Sequence, residues 1–182
     1  MLGGIRVDRL DIMSMATTET MKRWIRVAPF VFTLICFYLP FISLSDRAYD
    51  YPTLTGLQLP FGGDVDVSDN GFKHYSAWRQ FYSEPAILWV FSCAATATAF
   101  CFFAGKPGRL FPAILGVLGF ILMLVVKRDI DNNLIMESHD DLTVDYRIGF
   151  ILVCILLLVG VVVCVYQYIS SRISQPVAYD AA

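Results

Sequence analysis

The chain has 182 residues and a formal net charge of −2; 57% of its residues are hydrophobic and only 16% are charged. Soluble domains are about 45–50% apolar and about 25% charged, so this composition argues against an ordinary soluble enzyme. It also excludes a disordered chain, a collagen and a disulfide-rich mini-domain, which need many charges, many glycines or many cysteines.

Four long stretches of the chain contain no charged residue. They comprise 19 residues between Arg26 and Asp46, 21 between Glu84 and Lys106, 17 between Arg109 and Lys127, and 24 between Arg147 and Arg172. About 20 helical residues cross a bilayer core about 30 Å thick. The sequence therefore predicts an all-α membrane protein, a four-transmembrane-helix bundle. Its spans are expected at about residues 27–44, 85–105, 110–126 and 148–168 within a domain of residues 25–171.

The first predicted element is a polar leader, residues 1–24, which precedes the first span. Residues 1–20 lack apolar periodicity and are expected to form a mobile cytoplasmic segment. Pro29 is expected in the first turn of the span, and Pro40 is expected to kink or end it. A signal peptide cleaved at Ser43-Leu44-Ser45 is an alternative, although the apolar run exceeds the usual length of about 7–15 residues. A translation start at Met21 is also open.

A 39-residue loop, residues 45–83, separates the first two spans and is expected to be extracytoplasmic and partly ordered. Residues 53–57 are expected to form a short strand or an ordered turn, and glycines farther along are turn signals. Aromatic residues at 75, 78, 81 and 82 follow helical spacing, so residues 73–83 are predicted to form a helix. That helix either lies on the outer membrane surface or covers a small core of the loop itself.

The same loop supplies the predicted partner-binding surface, because it combines aromatic side chains with signals of ordered structure. The candidate residues are Tyr51, Leu54, Leu57, Phe61, Tyr75, Trp78, Phe81 and Tyr82. A calcium-loop pattern also begins in this loop at Asp66, but Ala77 stands where the bidentate glutamate belongs. No metal site is therefore expected there.

The remaining spans carry distinct packing signals. The sequence Ser83-Glu84-Pro85 is typical of a helix start, and the small residues at 92–99 favour a central position for the second span. Residues 105–108 predict a tight turn and an antiparallel hairpin of spans two and three. Gly116 and Gly119 are expected at intramolecular contacts. The bulky apolar residues of span four suit lipid contact.

The charge distribution predicts that both termini are cytoplasmic. The terminal side of the topology has eight basic and four acidic residues, and the loop side has six basic and twelve acidic residues. The basic cluster at residues 22–26 directly precedes the first span, where such clusters usually dominate orientation. Residues 127–147 then form a second, acidic outer loop and residues 172–182 a cytoplasmic tail. The pair Lys127–Arg128 opposes this orientation.

The cysteines all lie in predicted spans, where a cysteine commonly serves as a small buried hydrophobe. They are Cys36, Cys93, Cys101, Cys154 and Cys164. No loop disulfide is therefore expected. The sequence also has no N-x-[ST] glycosylation site, which together with the absence of loop disulfides fits a bacterial inner (plasma) membrane.

The functional signals in the sequence are mostly negative. It has no recognisable catalytic motif, and its spans contain no Asp, Glu, Lys, Arg or His that would mark an ion, proton or substrate path. The chain is therefore predicted to be a non-enzymatic accessory or structural subunit without a cofactor. It is expected to bind another membrane or extracytoplasmic protein, or a larger membrane complex, through its outer loops.

Other partners follow from the same observations. The lipid bilayer is an expected partner, and nucleic acid is not, because the chain is acidic overall. A homo-oligomer is left open. The alternative function is an oligomeric channel or transporter component, since Ser92, Thr96 and Thr98 offer hydroxyls that could line a pore between several copies.

Three short segments resemble those of uncharacterised four-helix bacterial integral membrane proteins. In that family an aromatic-Leu-Pro-Phe element ends the first span and a Thr-Leu-Thr/Ser-Gly segment follows. Here the matching residues are Tyr38-Leu39-Pro40-Phe41 and Thr53-Leu54-Thr55-Gly56-Leu57-Gln58-Leu59, and Tyr146-Arg147-Ile148-Gly149-Phe150 is similar at the start of span four. The resemblance implies the four-helix membrane architecture. It implies no activity, so no active-site residue is transferred.

Overall fold

The described part of the chain is mostly helical. The structure, a computed structural model, describes residues 5–46, 49–50, 53–61, 63–65, 79–81, 85–103, 107–137 and 143–173. Its helices are α1 (Ile5–Cys36), α2 (Ala86–Cys101), α3 (Pro107–Glu137) and α4 (Ile148–Ile173). Its strands are β1 (Pro40–Asp46), β2 (Tyr49–Asp50), β3 (Leu54–Thr55), β4 (Gly63–Val65), β5 (Arg79–Phe81) and β6 (Thr143–Tyr146), and a 3-10 turn covers Leu59–Phe61.

The four helices pack together in a ring in which each helix has two main neighbours. Helix α1 packs against α2 and α4, and α3 packs against the same two helices from the other side. The predicted hairpin of α2 and α3 is therefore seen, but the predicted central position of α2 was wrong. A helix rich in small residues can approach its neighbours closely from the wall of a bundle as well as from its centre.

The middle of the bundle is built around the ring of Phe30, which is fully buried. A Cβ added at Gly160 would lie 2.8 Å from Phe30 Cζ, and one at Gly116 would lie 2.7 Å from Val161 Cγ2. Helices α1, α3 and α4 thus meet at Gly116 and Gly160, whose lack of a side chain lets the helices come close. A Cβ at Gly119 would also touch neighbouring helices. These contacts confirm the intramolecular role predicted for Gly116 and Gly119.

Helix α1 begins much earlier than the predicted first span. Residues 5–20, which were expected to be an unstructured leader, belong to the helix. Pro29 lies inside the helix instead of in its first turn, and Thr33 Oγ1 donates a hydrogen bond to the Pro29 carbonyl at 2.9 Å. The leader contains many good helix formers, and such residues need no apolar periodicity to continue a helix that is already packed.

Helix α1 also ends earlier than the predicted span. Pro40 has no N–H with which to continue the helical pattern onto the Cys36 carbonyl. That carbonyl instead accepts a hydrogen bond from Leu39 N at 3.0 Å, which closes a tighter last turn. Residues 40–44, predicted as the end of the span, belong to β1. The sequence predicted that Pro40 would either kink or end the helix, and the structure shows that it ends it.

Helix α3 is longer than its predicted span in both directions. Pro107 and Gly108, expected in a tight turn, already belong to the helix, which continues to Glu137. The chain at 127–137, predicted as the first half of the second outer loop, is therefore helical. Lys127 Nζ lies 2.6 Å from Asp131 Oδ2, an i,i+4 pair that supports helix. Charged residues limit the part of a helix that can lie in the bilayer core, but they do not limit the helix itself.

Helices α2 and α4 match their predictions more closely. Helix α2 ends at Cys101, short of the predicted residue 105. Helix α4 begins at Ile148, as predicted, and ends at Ile173, beyond the predicted residue 168. Two helical segments of the described chain are long and apolar enough to cross a membrane, Gly108–Asn132 and Ile148–Ile173, while α2 is apolar but shorter. By length and composition these segments weakly suggest membrane association.

Strand β1 joins distant parts of the chain in a small antiparallel sheet. On one side it pairs with β6, from Ile42 opposite Tyr146 to Ser45 opposite Thr143. On the other side it pairs with β3 and β2. The strand-or-turn prediction for residues 53–57 is confirmed, because β3 leads into a turn at 56–58.

A second antiparallel pair corrects the prediction for residues 73–83. Arg79–Phe81 is strand β5 and pairs with β4, with Gly63 opposite Phe81 and Val65 opposite Arg79. The predicted helix was therefore wrong for these three residues, and the rest of the segment lies outside the described residues. Aromatic residues also favour strands, and the hydrogen-bonding partner that decides between the two structures is remote in sequence.

Candidate interaction surface

A cap of β1, β3, β6 and the 3-10 turn covers one end of the helix bundle, which we call the cap end. Beneath it lies an aromatic cluster. The ring of Phe37 is centred 5.3 Å from that of Phe41 and 5.4 Å from that of Phe91, and Phe41 is centred 6.1 Å from Phe150. Such ring pairs favour one another beyond their burial. The cluster therefore joins the cap to α1, α2 and α4.

The turn after β3 is closed by its own side chains. Gln58 Oε1 accepts hydrogen bonds from Thr55 N at 3.0 Å and Thr55 Oγ1 at 3.1 Å. Gln58 N donates in return to the Thr55 carbonyl at 3.1 Å. Between them Gly56 lies on the ring of Phe41, where a Cβ would come within 2.7 Å of the ring. A residue without a side chain is required at that contact.

A polar junction fixes β6 to α3. Tyr146 Oη donates a hydrogen bond to Asp131 Oδ1 at 2.6 Å and lies 3.2 Å from the Lys127 carbonyl oxygen. Lys127 Nζ lies 4.9 Å from the centre of the Tyr146 ring. Burial raises the pKa of Tyr146, and the hydrogen bond and negative charge of Asp131 raise this pKa further. Tyr146 therefore stays a neutral hydrogen-bond donor at physiological pH.

We expect Tyr146→Phe to lower the free energy of unfolding by about 1–2 kcal/mol, because it removes a hydrogen bond to a charged, partly exposed acceptor. Chemical or thermal unfolding in mild detergent measures the change. Tyr166→Phe is the matched control, since Tyr166 is an exposed tyrosine on α4 and its substitution should have little effect. Equal destabilisation by the two substitutions would contradict a role for the junction.

A second junction joins β1 to the start of α4. Arg147 N donates a hydrogen bond to the Phe41 carbonyl at 2.8 Å, and Arg147 Nη2 donates to Ser43 Oγ at 3.0 Å. Both acceptors belong to β1, which directly follows the last turns of α1. The cap is therefore tied to α3 and to the start of α4 through named polar contacts, in addition to the aromatic packing.

The structure describes four of the eight predicted interaction residues. Leu54 and Leu57 are half-buried and pack against the core, whereas the side chain of Phe61 is 75% exposed. Phe81 lies in β5. The residues Tyr51, Tyr75, Trp78 and Tyr82 lie outside the described residues. Among the described candidates, Phe61 is thus the side chain best placed for a partner.

The opposite end of the bundle, which we call the basic end, contains a buried arginine that the sequence analysis treated only as an orientation signal. Arg26 is 6% exposed, and its Nη1 donates a hydrogen bond to the Gly108 carbonyl at 3.1 Å. At the same end, Gln167 Nε2 donates to the Lys22 carbonyl at 3.1 Å. A charged residue directly before an apolar run is the sequence signal that could have indicated a buried role.

The described residues contain no group of three metal-ligating side chains. The five cysteines are free, and four of them are buried in the bundle. No family model, curated protein or solved structure matches the chain. The resemblance to four-helix bacterial membrane proteins therefore stays a prediction.

Proposed function

We propose that this chain is an integral membrane protein whose four helices cross one bilayer, and that it acts as a non-enzymatic accessory subunit. In this proposal the cap binds another membrane or extracytoplasmic protein, and both termini are cytoplasmic at the basic end. The proposal is supported mainly by the distance between the polar contacts at the two ends of the bundle, taken together with the apolar surface between them.

The polar contacts mark two levels on α3 and α4. On α3, the basic-end contact is at Gly108 and the cap-end contact is at Lys127, which are about 28 Å apart at 1.5 Å per residue. On α4, the first residue, Ile148, directly follows the cap-end contact of Arg147, and Gln167 makes the basic-end contact. These two residues are also about 28 Å apart by the same rise. A bilayer core is about 30 Å thick. Between these levels the helices carry no charged residue beyond Arg109.

The shorter helices fit the same thickness. The 16 residues of α2 rise about 24 Å. The apolar part of α1, residues 27–36, rises about 15 Å, and a tighter turn at residues 37–39 continues it toward the cap. Backbone N–H and C=O groups that lie in hydrocarbon need hydrogen-bond partners within the protein. The N–H groups of Phe37, Tyr38 and Leu39 donate to α1 carbonyls, and the Phe41 carbonyl accepts from Arg147 N, so these four backbone groups have partners within the chain.

The outer surface between the two levels is apolar. Large exposed side chains occur on all four helices; they include Phe32, Ile35, Trp89, Phe111, Ile114, Leu118, Ile121, Leu124, Ile151, Ile155, Leu158 and Val162. Soluble monomers rarely expose contiguous apolar patches beyond a few hundred Å². Exposed aromatic residues lie near both levels, with Trp24 and Tyr166 at the basic end and Tyr38 at the cap end. This distribution is typical of membrane interfaces.

The interior of the bundle supports a passive role. The buried side chains at its centre are large and apolar, and they include Phe30, Val90, Met123 and Leu157. A single chain therefore has a packed interior with no ionisable relay along its spans. The cap presents Phe61 as an exposed aromatic side chain on an ordered turn, which favours protein binding there.

A second candidate function, an oligomeric channel or transporter component, is favoured by one observation. Ser92 and Thr96 are exposed and four residues apart on α2, so they share one outward face of the bundle. Several copies that packed with these faces together could enclose hydroxyl groups. Solute or ion flux into liposomes that contain the purified chain would favour this function over the accessory one.

The partner proposal predicts that Phe61 contributes to binding. We expect Phe61→Ser to reduce recovery of a crosslinked partner from membranes at least about fivefold, the effect of losing about 1 kcal/mol of binding. Phe103→Ser is the matched control, because Phe103 is also exposed but follows α2 at the basic end. A tagged chain that elutes alone from mild detergent, with no crosslinked partner, would contradict the accessory function.

A further inference from the structure

The basic end contains a cation buried where all four helices meet. Arg26 of α1 donates to the Gly108 carbonyl in the first turn of α3. The Arg26 carbonyl lies 3.8 Å from Cys101 Sγ at the end of α2, and the thiol of Cys164 on α4 also lies near the guanidinium. Arg26 is the only charged side chain that is buried among the residues whose exposure the structure describes.

This guanidinium has no full counter-ion in the described part of the chain. Its Nε is buried, and no residue that the structure describes forms a hydrogen bond with it. Its Nη1 bonds to a neutral carbonyl, and no described carboxylate forms an ion pair with it. The carbonyl end of α2 supplies only about half a negative charge. An arginine cannot lose its proton to relieve the cost of burial, so an unpaired buried guanidinium favours an added anion.

Two further arginines lie near Arg26. Arg23 lies one helical turn before Arg26 on α1, and Arg109 follows Gly108 on α3. Both are half-buried and close enough to repel the Arg26 charge. The N-terminal turn of α3 adds the positive end of a 31-residue helix. Three arginines and a helix N-terminus therefore converge at one end of the apolar layer.

We propose that Arg23, Arg26 and Arg109 form a binding site for a phosphate group at the basic end. Guanidinium groups bind phosphate through paired hydrogen bonds, and the unpartnered Nε of Arg26 offers a donor for one of them. In a membrane this site lies at the level of lipid headgroups, so the phosphate is that of an anionic lipid or a free anion from solution. The assignment of the ligand as a lipid phosphate rests on the proposed membrane location, whereas the binding of a phosphate group by these arginines does not.

Native mass spectrometry of the full chain in neutral detergent tests the site. The probes are phosphatidylglycerol, zwitterionic phosphatidylcholine and inorganic phosphate, each added separately and in competition. The variants are Arg26→Gln and the double variant Arg23→Gln/Arg109→Gln, which removes charge only from half-buried positions. Arg172→Gln is the matched control, because it removes one charge from the far end of α4 at the same side of the bundle. Circular dichroism checks that each variant is helical.

We expect phosphatidylglycerol to bind the wild type and Arg172→Gln more tightly than phosphatidylcholine does. Binding should weaken at least about tenfold in the double variant and in folded Arg26→Gln, which corresponds to about 1.4 kcal/mol. Saturable binding of inorganic phosphate with the same arginine dependence would support the site with a free anion as its ligand. Unchanged binding of phosphatidylglycerol and of inorganic phosphate in the double variant would overturn the proposal, because the phosphate would then not depend on these arginines.

Membrane fractionation separates this inference from the proposed function. A chain that is recovered in the membrane but binds phosphate independently of these arginines contradicts the site alone. A chain that is recovered as a soluble protein, with arginine-dependent binding of inorganic phosphate, supports the site and contradicts the membrane location.

Discussion

Substitution of Leu158 by lysine is expected to reduce membrane insertion and stability by about 3 kcal/mol, the cost of a lysine at the centre of a membrane-spanning helix. Leu158 is 44% exposed and lies midway between the cap end and the basic end of α4. In a water-soluble bundle the same substitution on an exposed site would change stability by less than about 0.5 kcal/mol. The yield in the membrane fraction and the unfolding midpoint in detergent measure the effect.

Ile173→Lys is the matched control for this prediction. Ile173 is the last residue of α4, is 79% exposed and lies beyond the level of the polar contacts at the basic end. A lysine there is expected to be nearly neutral, because its ammonium group reaches water. If Leu158→Lys were as abundant and stable as Ile173→Lys, the apolar surface would face water and the proposed membrane location would be wrong.

The second large effect is expected at Gly160. Gly160→Ala places a Cβ 2.8 Å from Phe30 Cζ and 3.0 Å from Phe30 Cε1. Because the Phe30 ring is fully buried, it has no open space into which to move. We expect a loss of about 1–3 kcal/mol, typical of overpacking in a well-packed interior. Thermal unfolding in mild detergent measures the loss.

A double-mutant cycle identifies the contact responsible. Phe30→Leu alone should destabilise the bundle, since it leaves a cavity at its centre. Combined with Gly160→Ala it should cost less than the sum of the single changes, by about 0.5–3 kcal/mol, because the shorter side chain relieves the clash. Simple additivity of the two changes would show that the Phe30 ring does not limit the approach of α1 and α4.

Much of the helical architecture could be predicted from the spacing of charges. The four charge-free runs correspond to four packed helices, and α4 begins at the predicted residue Ile148. The helix ends were less predictable. Charged residues limit the stretch that suits a bilayer, but helix α3 continues through Lys127 and Asp131 because the i,i+4 pair stabilises it. Pro40, in contrast, ends α1 for a local reason that the sequence does contain.

The predicted interaction surface was harder to derive, because an apolar side chain in a loop can either pack into the core or face a partner. Leu54 and Leu57 face the core, whereas Phe61, on the same stretch of chain, is exposed. The choice depends on where the turn docks, and that is set by Gly56 on the distant ring of Phe41. Tyr146 and Asp131 were also missed as partners, because 15 residues of chain separate them. Contacts of this kind become visible only in the folded molecule.

The position of β6 in the chain sets the order in which this fold can be completed. Strand β1 emerges early in translation, yet the Arg147–Ser43 contact beside β6 spans 104 residues. Until the ribosome has made β6, one edge of β1 has no strand from the same chain to pair with it. A nascent chain that stops before Thr143 therefore displays open backbone donors and acceptors, to which a chaperone or a second nascent chain can add. Strand β6 therefore completes the sheet that β1 begins.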